Sequence, residues 1–137
     1  MAANPCRIRG IASHKPAERR VLSISEVLAL ASEVPARYKV LVHLLVWSGV
    51  RIGEASALQR RDLDLTTGYA SISVRERVYP LKGVHDIDTS KSRAGVRTIA
   101  IPGMLAVQLE QHLSQFKGKD SSSLVFTTEN GGNIRTT

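Results

Sequence analysis

A chain of 137 residues suits one compact domain and leaves no room for a second large one. Apolar residues make up 42% of it, which supports a real core and excludes a wholly disordered chain. Lys and Arg number 19 against 12 Asp and Glu, and the net charge of +7 fits a polyanionic partner such as DNA or RNA, a ribosomal-type role, or a crowded anionic surface.

Residues 1–20 are polar, basic and proline-bearing, with Asn4-Pro5, Lys15-Pro16 and Arg19-Arg20. They read as a linker or arm entering a domain that occupies 21–137. Arg7, Arg9, Lys15, Arg19 and Arg20 make that arm basic, with a solvated linker as the default reading and nonspecific phosphate contact beside it. Cys6 is the single cysteine, so no disulfide closes within the chain and no Cys-rich zinc site forms. A reducing compartment follows. The first residues lack the apolar region of a secretion signal. The longest apolar stretch, 40–47, is broken by His43 and falls far short of the ~20 residues that span a bilayer. These features predict a cytoplasmic chain without membrane contact.

A first helix starts at Ser23 or Ser25, because Glu26 follows Ser23 at the spacing of a capping box. Val27, Leu28, Leu30 and Ala31 give it an apolar face up to Glu33, and Pro35 opens a second helix. The second helix is predicted over 36–48. Val40, Leu41, Leu44 and Leu45 line one side, while Val42, Val46 and Trp47 make the other side apolar as well. A helix apolar nearly all round is expected to be a buried spine, with Trp47 as core filler and Gly49 as its stop.

A short helix is expected over 52–58, then an irregular stretch over 60–65 and a turn at Thr67-Gly68. From Tyr69 the period becomes two, with Ile72 and Val74 alternating with Ser71, Ser73 and Arg75, until Pro80 ends the strand. A polar strand over about 85–91 and a third over 97–101, with Ile99 and Ile101 inward, complete a three-stranded antiparallel meander with a hairpin at 91–97. A helix over 104–116 carries Leu105, Leu109, His112, Leu113 and Phe116 at helical spacing. A buried extended segment at 124–126 and a glycine turn at 130–133 follow. The fold class is therefore α+β, mainly helical with a small three-stranded antiparallel sheet.

The chemistry concentrates after the second helix. Arg51 and Glu54 follow directly on the most apolar stretch, and Gly49 and Gly53 bracket the arginine so that the backbone can turn tightly. An arginine between buried helices must find an anion. Glu54, three residues on, is a neighbour on a helical turn. From these residues alone, a buried Arg51–Glu54 pair that ties helices together is at least as good a reading as a functional one.

The stretch Ser48-Gly49-Val50-Arg51-Ile52-Gly53-Glu54-Ala55-Ser56-Ala57-Leu58, followed by Asp62-Leu63-Asp64, resembles the first box of the tyrosine recombinases of the phage-integrase type. Lys91-Ser92-Arg93-Ala94-Gly95-Val96-Arg97-Thr98-Ile99-Ala100-Ile101-Pro102 resembles their β-hairpin. Ser123-Leu124-Val125-Phe126, leading into a glycine turn, is a third match, and Asn4-Pro5-Cys6 is similar to the end of the linker from the preceding domain. The matches cover nearly all of the chain, in order. The resemblance implies part of a DNA breaking-and-rejoining catalytic domain that works through a covalent phosphotyrosine. It implies that Arg51 holds the scissile phosphate, because a guanidinium grips two nonbridging oxygens where an ammonium offers a point charge. It implies that Lys91 is the general acid to the departing 5′ oxygen, and that Glu54 supports by orienting Arg51 or its neighbours. Arg93 and Arg97 flank the hairpin as candidate phosphate contacts, with a solvated basic hairpin weighing equally.

The departures carry as much. The His-x-x-Arg box, a later His or Trp, the nucleophilic tyrosine and the preceding helical DNA-binding domain are absent from these residues. Tyr38 reads as packing, Tyr69 and Tyr79 flank a strand, and none is expected as nucleophile. The expectation is the first half of a catalytic domain, unable to catalyse alone. It would bind double-stranded DNA as a monomer, while the complete protein acts as a tetramer. No metal or cofactor is expected. His43 and His112 read as satisfied core histidines, His14 and His85 as solvent-facing, and no two have metal-ligand spacing. A type IB topoisomerase shares the chemistry, but the short hairpin and Asn4-Pro5 favour a recombinase. The competing reading is a non-catalytic basic DNA-binding or regulatory module, or a degenerate integrase remnant.

Overall fold

The computed structural model describes residues 20–81, 84–89, 96–116 and 120–134. In chain order the elements are α1 (Ile24–Glu33), α2 (Ala36–Ser48), α3 (Ile52–Ala57), a 3-10 turn (Arg60–Asp62), β1 (Leu63–Asp64), β2 (Ser71–Val74), β3 (Glu76–Leu81), β4 (Val84–Thr89), β5 (Arg97–Ala100) and α4 (Gly103–Gln115). The α+β class and the three-stranded antiparallel sheet are as the sequence predicts.

Helix α1 begins in the expected capping box. Ser23 N donates to Glu26 Oε2 (2.9 Å) and Glu26 N donates to Ser23 Oγ (3.3 Å), satisfying two otherwise orphaned donors. Arg20 pairs with the same carboxylate. Helix α2 runs from Pro35 at its cap to Gly49, which takes the left-handed conformation (φ 66°) and donates to Leu45 O at 3.2 Å. Helix α2 lies against α1, α3 and α4.

The spine role holds for only part of α2. Leu41, His43 and Leu44 are buried, and Val40 and Leu45 pack against the core, but Val46 and Trp47 are 47% and 40% exposed. Trp47 is therefore not the core filler the sequence suggests. Apolar character around a helix fixes what could be buried. Only the side facing α1, α4 and the sheet meets partners among the described residues.

The sheet is assembled differently from the predicted meander. Strand β2 pairs directly with β5, from Ser71 opposite Ala100 to Val74 opposite Arg97. Strand β1 adds on the far edge, with Leu63 opposite Ile72. The strand expected in the middle of the sheet instead forms a separate two-stranded hairpin, β3 with β4, in register from Glu76–Thr89 to Leu81–Val84. Pro80 does not end the strand, since it sits opposite His85 within that ribbon. A two-stranded ribbon consists only of edge strands, where a proline's missing N–H can face away from the ladder.

Ile72 and Val74 on β2 point inward with Ile101, and they meet Leu41, Leu44, Leu105, Leu109, Val125 and Phe126 in one core. Fully burying each large side chain of this kind contributes roughly 1.5–3 kcal/mol. The segment after α4 closes the domain by returning to the first box. Val125 N donates to Leu58 O (2.8 Å), Arg60 N to Ser123 O (3.0 Å) and Arg61 N to Ser121 O (2.9 Å), so Phe126 is locked under the chain that follows α3. Gly131, at φ 80°, makes the following turn.

Candidate active site

The corner between α2 and α3 is built by short side chains. Ser48 Oγ donates to Leu44 O (2.6 Å) and accepts from Val50 N (3.3 Å), turning the chain at Gly49. Val50 is buried, and Arg51 then caps α3 with Ala55 N donating to Arg51 O at 2.9 Å. Ala55, Ser56, Ala57 and Leu58 bury the inner face of α3, with Ser56 Oγ donating to Ile52 O at 2.8 Å. The small residues let α3 sit close enough to hold Arg51 at the rim.

Arg51 is not buried between helices: its side chain is 80% exposed. The buried member of the pair is Glu54, whose carboxylate is 8% exposed. Arg51 N donates to Glu54 Oε2 (3.0 Å), while Arg51 Nη1 stands 3.5 Å from Glu54 Oε1. The close partner of Glu54 lies 43 residues away. Arg97 Nη1 donates to Oε1 (3.0 Å) and Arg97 Nη2 to Oε2 (2.8 Å), a two-pronged fork. The hydrogen bond from Arg97, helped by the backbone N–H of Arg51 and both guanidinium charges, holds the Glu54 carboxyl below its ordinary value against the opposing effect of burial. The same hydrogen bond raises Arg97 above the usual arginine range.

Arg97 is in reach because of sheet parity. It stands opposite Val74, a buried residue on the core face, and belongs to the same alternating set as Ile99 and Ile101. Its side chain therefore leaves the sheet on the side of α3, where the Glu54 carboxylate receives it. The alternation 97-99-101 contained this signal, but the basic context of the hairpin pointed toward solvent. A second long-range pair, Arg75 Nε with Asp62 Oδ1 at 3.2 Å, was also missed. It ties the end of β2 to the 3-10 turn, where the buried Asp62 also accepts from Gln59 N (3.0 Å).

Of the expected site residues, the structure brings Arg51, Glu54 and Arg97 together. Lys91 and Arg93 lie outside the described residues, as do the arm 1–19 with Cys6 and His14. The described strands lead to both ends of the Lys91 segment. Thr89 is opposite Glu76 and Arg97 is opposite Val74, so the chain departs and returns two residues apart along β2–β3.

His43 and His112 are buried as expected, each held through one ring nitrogen. His43 Nδ1 is 2.6 Å from Gln108 Oε1, and His112 Nε2 donates to Val125 O at 2.9 Å. The other ring nitrogen of each has no hydrogen-bond partner among the described residues. Burial, more than the nearby Arg37 charge, depresses the pKa of His112. Among the described residues, no cluster of three or more His, Cys, Asp or Glu could hold a metal ion. Among them too, no helix is long and apolar enough to cross a membrane.

No family model matches the chain. A putative prophage phiRv2 integrase of Mycobacterium tuberculosis is 33% identical over 132 residues, which cover 96% of this chain and 35% of that protein. The integrase of Mycobacterium phage D29 is 28% identical over 135 residues, with the same two coverages. The chain thus spans about a third of the length of these curated relatives. Among solved structures, the Tn1549 transposon integrase in complex with circular intermediate DNA superposes with a TM-score of 0.70 at 22% identity, over 89% of this chain and 42% of that one. XerA recombinase gives a TM-score of 0.62 at 21% identity, over 89% of this chain and 39% of that one.

Proposed function

The chain belongs to the tyrosine recombinase (phage integrase) family, and on that premise we propose that it is a segment of the catalytic domain of a site-specific DNA recombinase in which Arg51 holds the scissile phosphate. The observation that carries this reading is the state of Arg51. Its guanidinium is 80% exposed, fixed at a helix corner, and beside a carboxylate already occupied by another arginine. A planar fork so placed can grip two nonbridging oxygens and stabilise the charge that grows on them in a pentacovalent transition state.

The other roles follow the same reading. Lys91 protonates the departing 5′ oxygen, and an ammonium suits this because it leaves no buried negative charge behind. Glu54 orients Arg51 through the Arg51 N–H. Arg93 adds a contact to the phosphate backbone, whereas Arg97 directs one N–H of each terminal nitrogen at Glu54. The nucleophilic tyrosine and the His-x-x-Arg box would come from outside these residues, since no His is followed by Arg at that spacing and Tyr38, Tyr69 and Tyr79 all precede the 124–126 segment. The partner is double-stranded DNA, as the Tn1549 integrase complex and the net charge of +7 support. The isolated chain binds duplex as a monomer and cleaves nothing, and the complete protein works as a tetramer on DNA.

The test uses a full-length recombinase that contains this chain. Arg51→Ala and Lys91→Ala should each abolish the covalent protein–DNA complex on a suicide substrate. Normal complex formation by both variants overturns the assignment.

A further inference from the structure

The arrangement around Glu54 poses an electrostatic difficulty. A carboxylate three residues from a phosphate-binding arginine competes with the phosphate for it. Here the carboxylate is buried, so it is screened little by solvent, and Arg51 Nη1 is already 3.5 Å from one of its oxygens. Left to itself, that pair would close into a neutral Arg51–Glu54 ion pair and offer an incoming anion little net attraction.

We propose that Arg97 is a positioning residue that occupies Glu54 and so keeps the charge of Arg51 available to the phosphate. This rests on the reading of Arg51 as the phosphate ligand. The geometry fits the role. Arg97 takes both oxygens of Glu54 through its two terminal nitrogens, at 3.0 and 2.8 Å, and the Arg51 backbone N–H takes a further lone pair at 3.0 Å. The Arg51 guanidinium is left with the longest contact of the set. Two guanidinia face one carboxylate, so the cluster keeps one net positive charge, and the exposed arginine presents it. Arg97 is only 39% exposed and Arg51 is 80% exposed, which divides the labour: one faces the carboxylate, the other faces solvent. The placement of Arg97 opposite the buried Val74 makes this pairing a product of sheet register rather than of a chance surface contact.

The experiment uses the full chain, a short fluorescent DNA duplex at low salt, and the side-chain Nε–H resonance of Arg51, identified by its loss in Arg51→Ala. Arg51→Ala should weaken binding several-fold. If it binds as tightly as the parent chain, the reading of Arg51 itself fails. Arg97→Ala should weaken binding by a similar factor and shift the Arg51 resonance before any DNA is added, because Arg51 closes onto Glu54. The double variant Arg97→Ala/Glu54→Gln should return both the resonance and the affinity to near the parent values. Glu54→Gln alone should bind duplex more tightly than the parent chain. A double variant as weak as Arg97→Ala, or an Arg51 resonance that does not move in Arg97→Ala, would mean that Arg97 touches the phosphate directly and would overturn the proposal. Should Arg97→Ala fail to fold by circular dichroism, the double variant decides by itself. It carries no unpaired buried charge, and a direct phosphate contact predicts that it binds weakly.

Discussion

His112 shows how a single buried side chain makes the domain sensitive to acid. Its Nε2 donates to Val125 O, and its ring lies 4.8 and 5.1 Å from the rings of Phe116 and Phe126. Burial lowers its pKa, so the unfolded chain binds a proton more readily than the folded one. The associated stability is fully present above the unfolded value near 6.5 and is lost as pH falls from there through the lower folded value. Urea midpoints should therefore fall between about pH 7.5 and 5.5, and His112→Gln should flatten the curve in that window. Glu54 acts at lower pH, because its depressed carboxyl contributes stability that is lost only as pH drops below its ordinary 4.5. The Arg97–Glu54 fork was not legible in the sequence for a physical reason. Its partners are 43 residues apart, and which strand lies beside α3 is decided by register.

At the scale of elements, the local signals carried far. The Ser23–Glu26 capping box, the Gly49 stop and the period of α4 are interactions within a few residues, so the sequence displays them directly. Strand β1 was hidden because two residues, Leu63–Asp64, form a strand only when β2 is beside them. The β2–β5 pairing was hidden for the same reason. Gly49 offers a direct test. No atom lies within 4 Å of where its Cβ would stand, so only the left-handed backbone opposes a side chain. Gly49→Ala should destabilise by about 1–2 kcal/mol by urea titration. Gly49→Asn should cost less, since asparagine tolerates that conformation. Phe126 tests the closing segment. It is fully buried, and Phe126→Ala should cost about 3–5 kcal/mol, enough to broaden or abolish the cooperative transition in thermal circular dichroism. The exposure of Trp47, the only tryptophan, is equally checkable: its fluorescence should be red-shifted and open to acrylamide. A blue-shifted, protected emission would show that another surface covers α2.

For the molecule as a whole, the proposed function has charge setting the range of action and Arg51 one point of contact. With a net charge of +7, the chain should bind duplex with an affinity that falls linearly on a log–log plot against salt. Arg51→Ala should reduce the steepness of that line by about one, the signature of one lost phosphate contact. An unchanged slope would exclude a phosphate at Arg51. The recombinase resemblance was legible because its boxes are local strings of residues. The architecture that brings box one and the hairpin together was not, because it depends on the direct closure of β2 on β5.

That closure separates two jobs usually joined in a β-meander. The β2–β5 ladder completes the core sheet without help from β3 and β4, and β3 of the separate ribbon lies along α3 instead. Insertions or deletions of residue pairs within that ribbon change its length without slipping the register that points Ile72, Val74 and Arg97 inward. The length of the ribbon can therefore be retailored, in evolution or at the bench, while the core sheet keeps the same register.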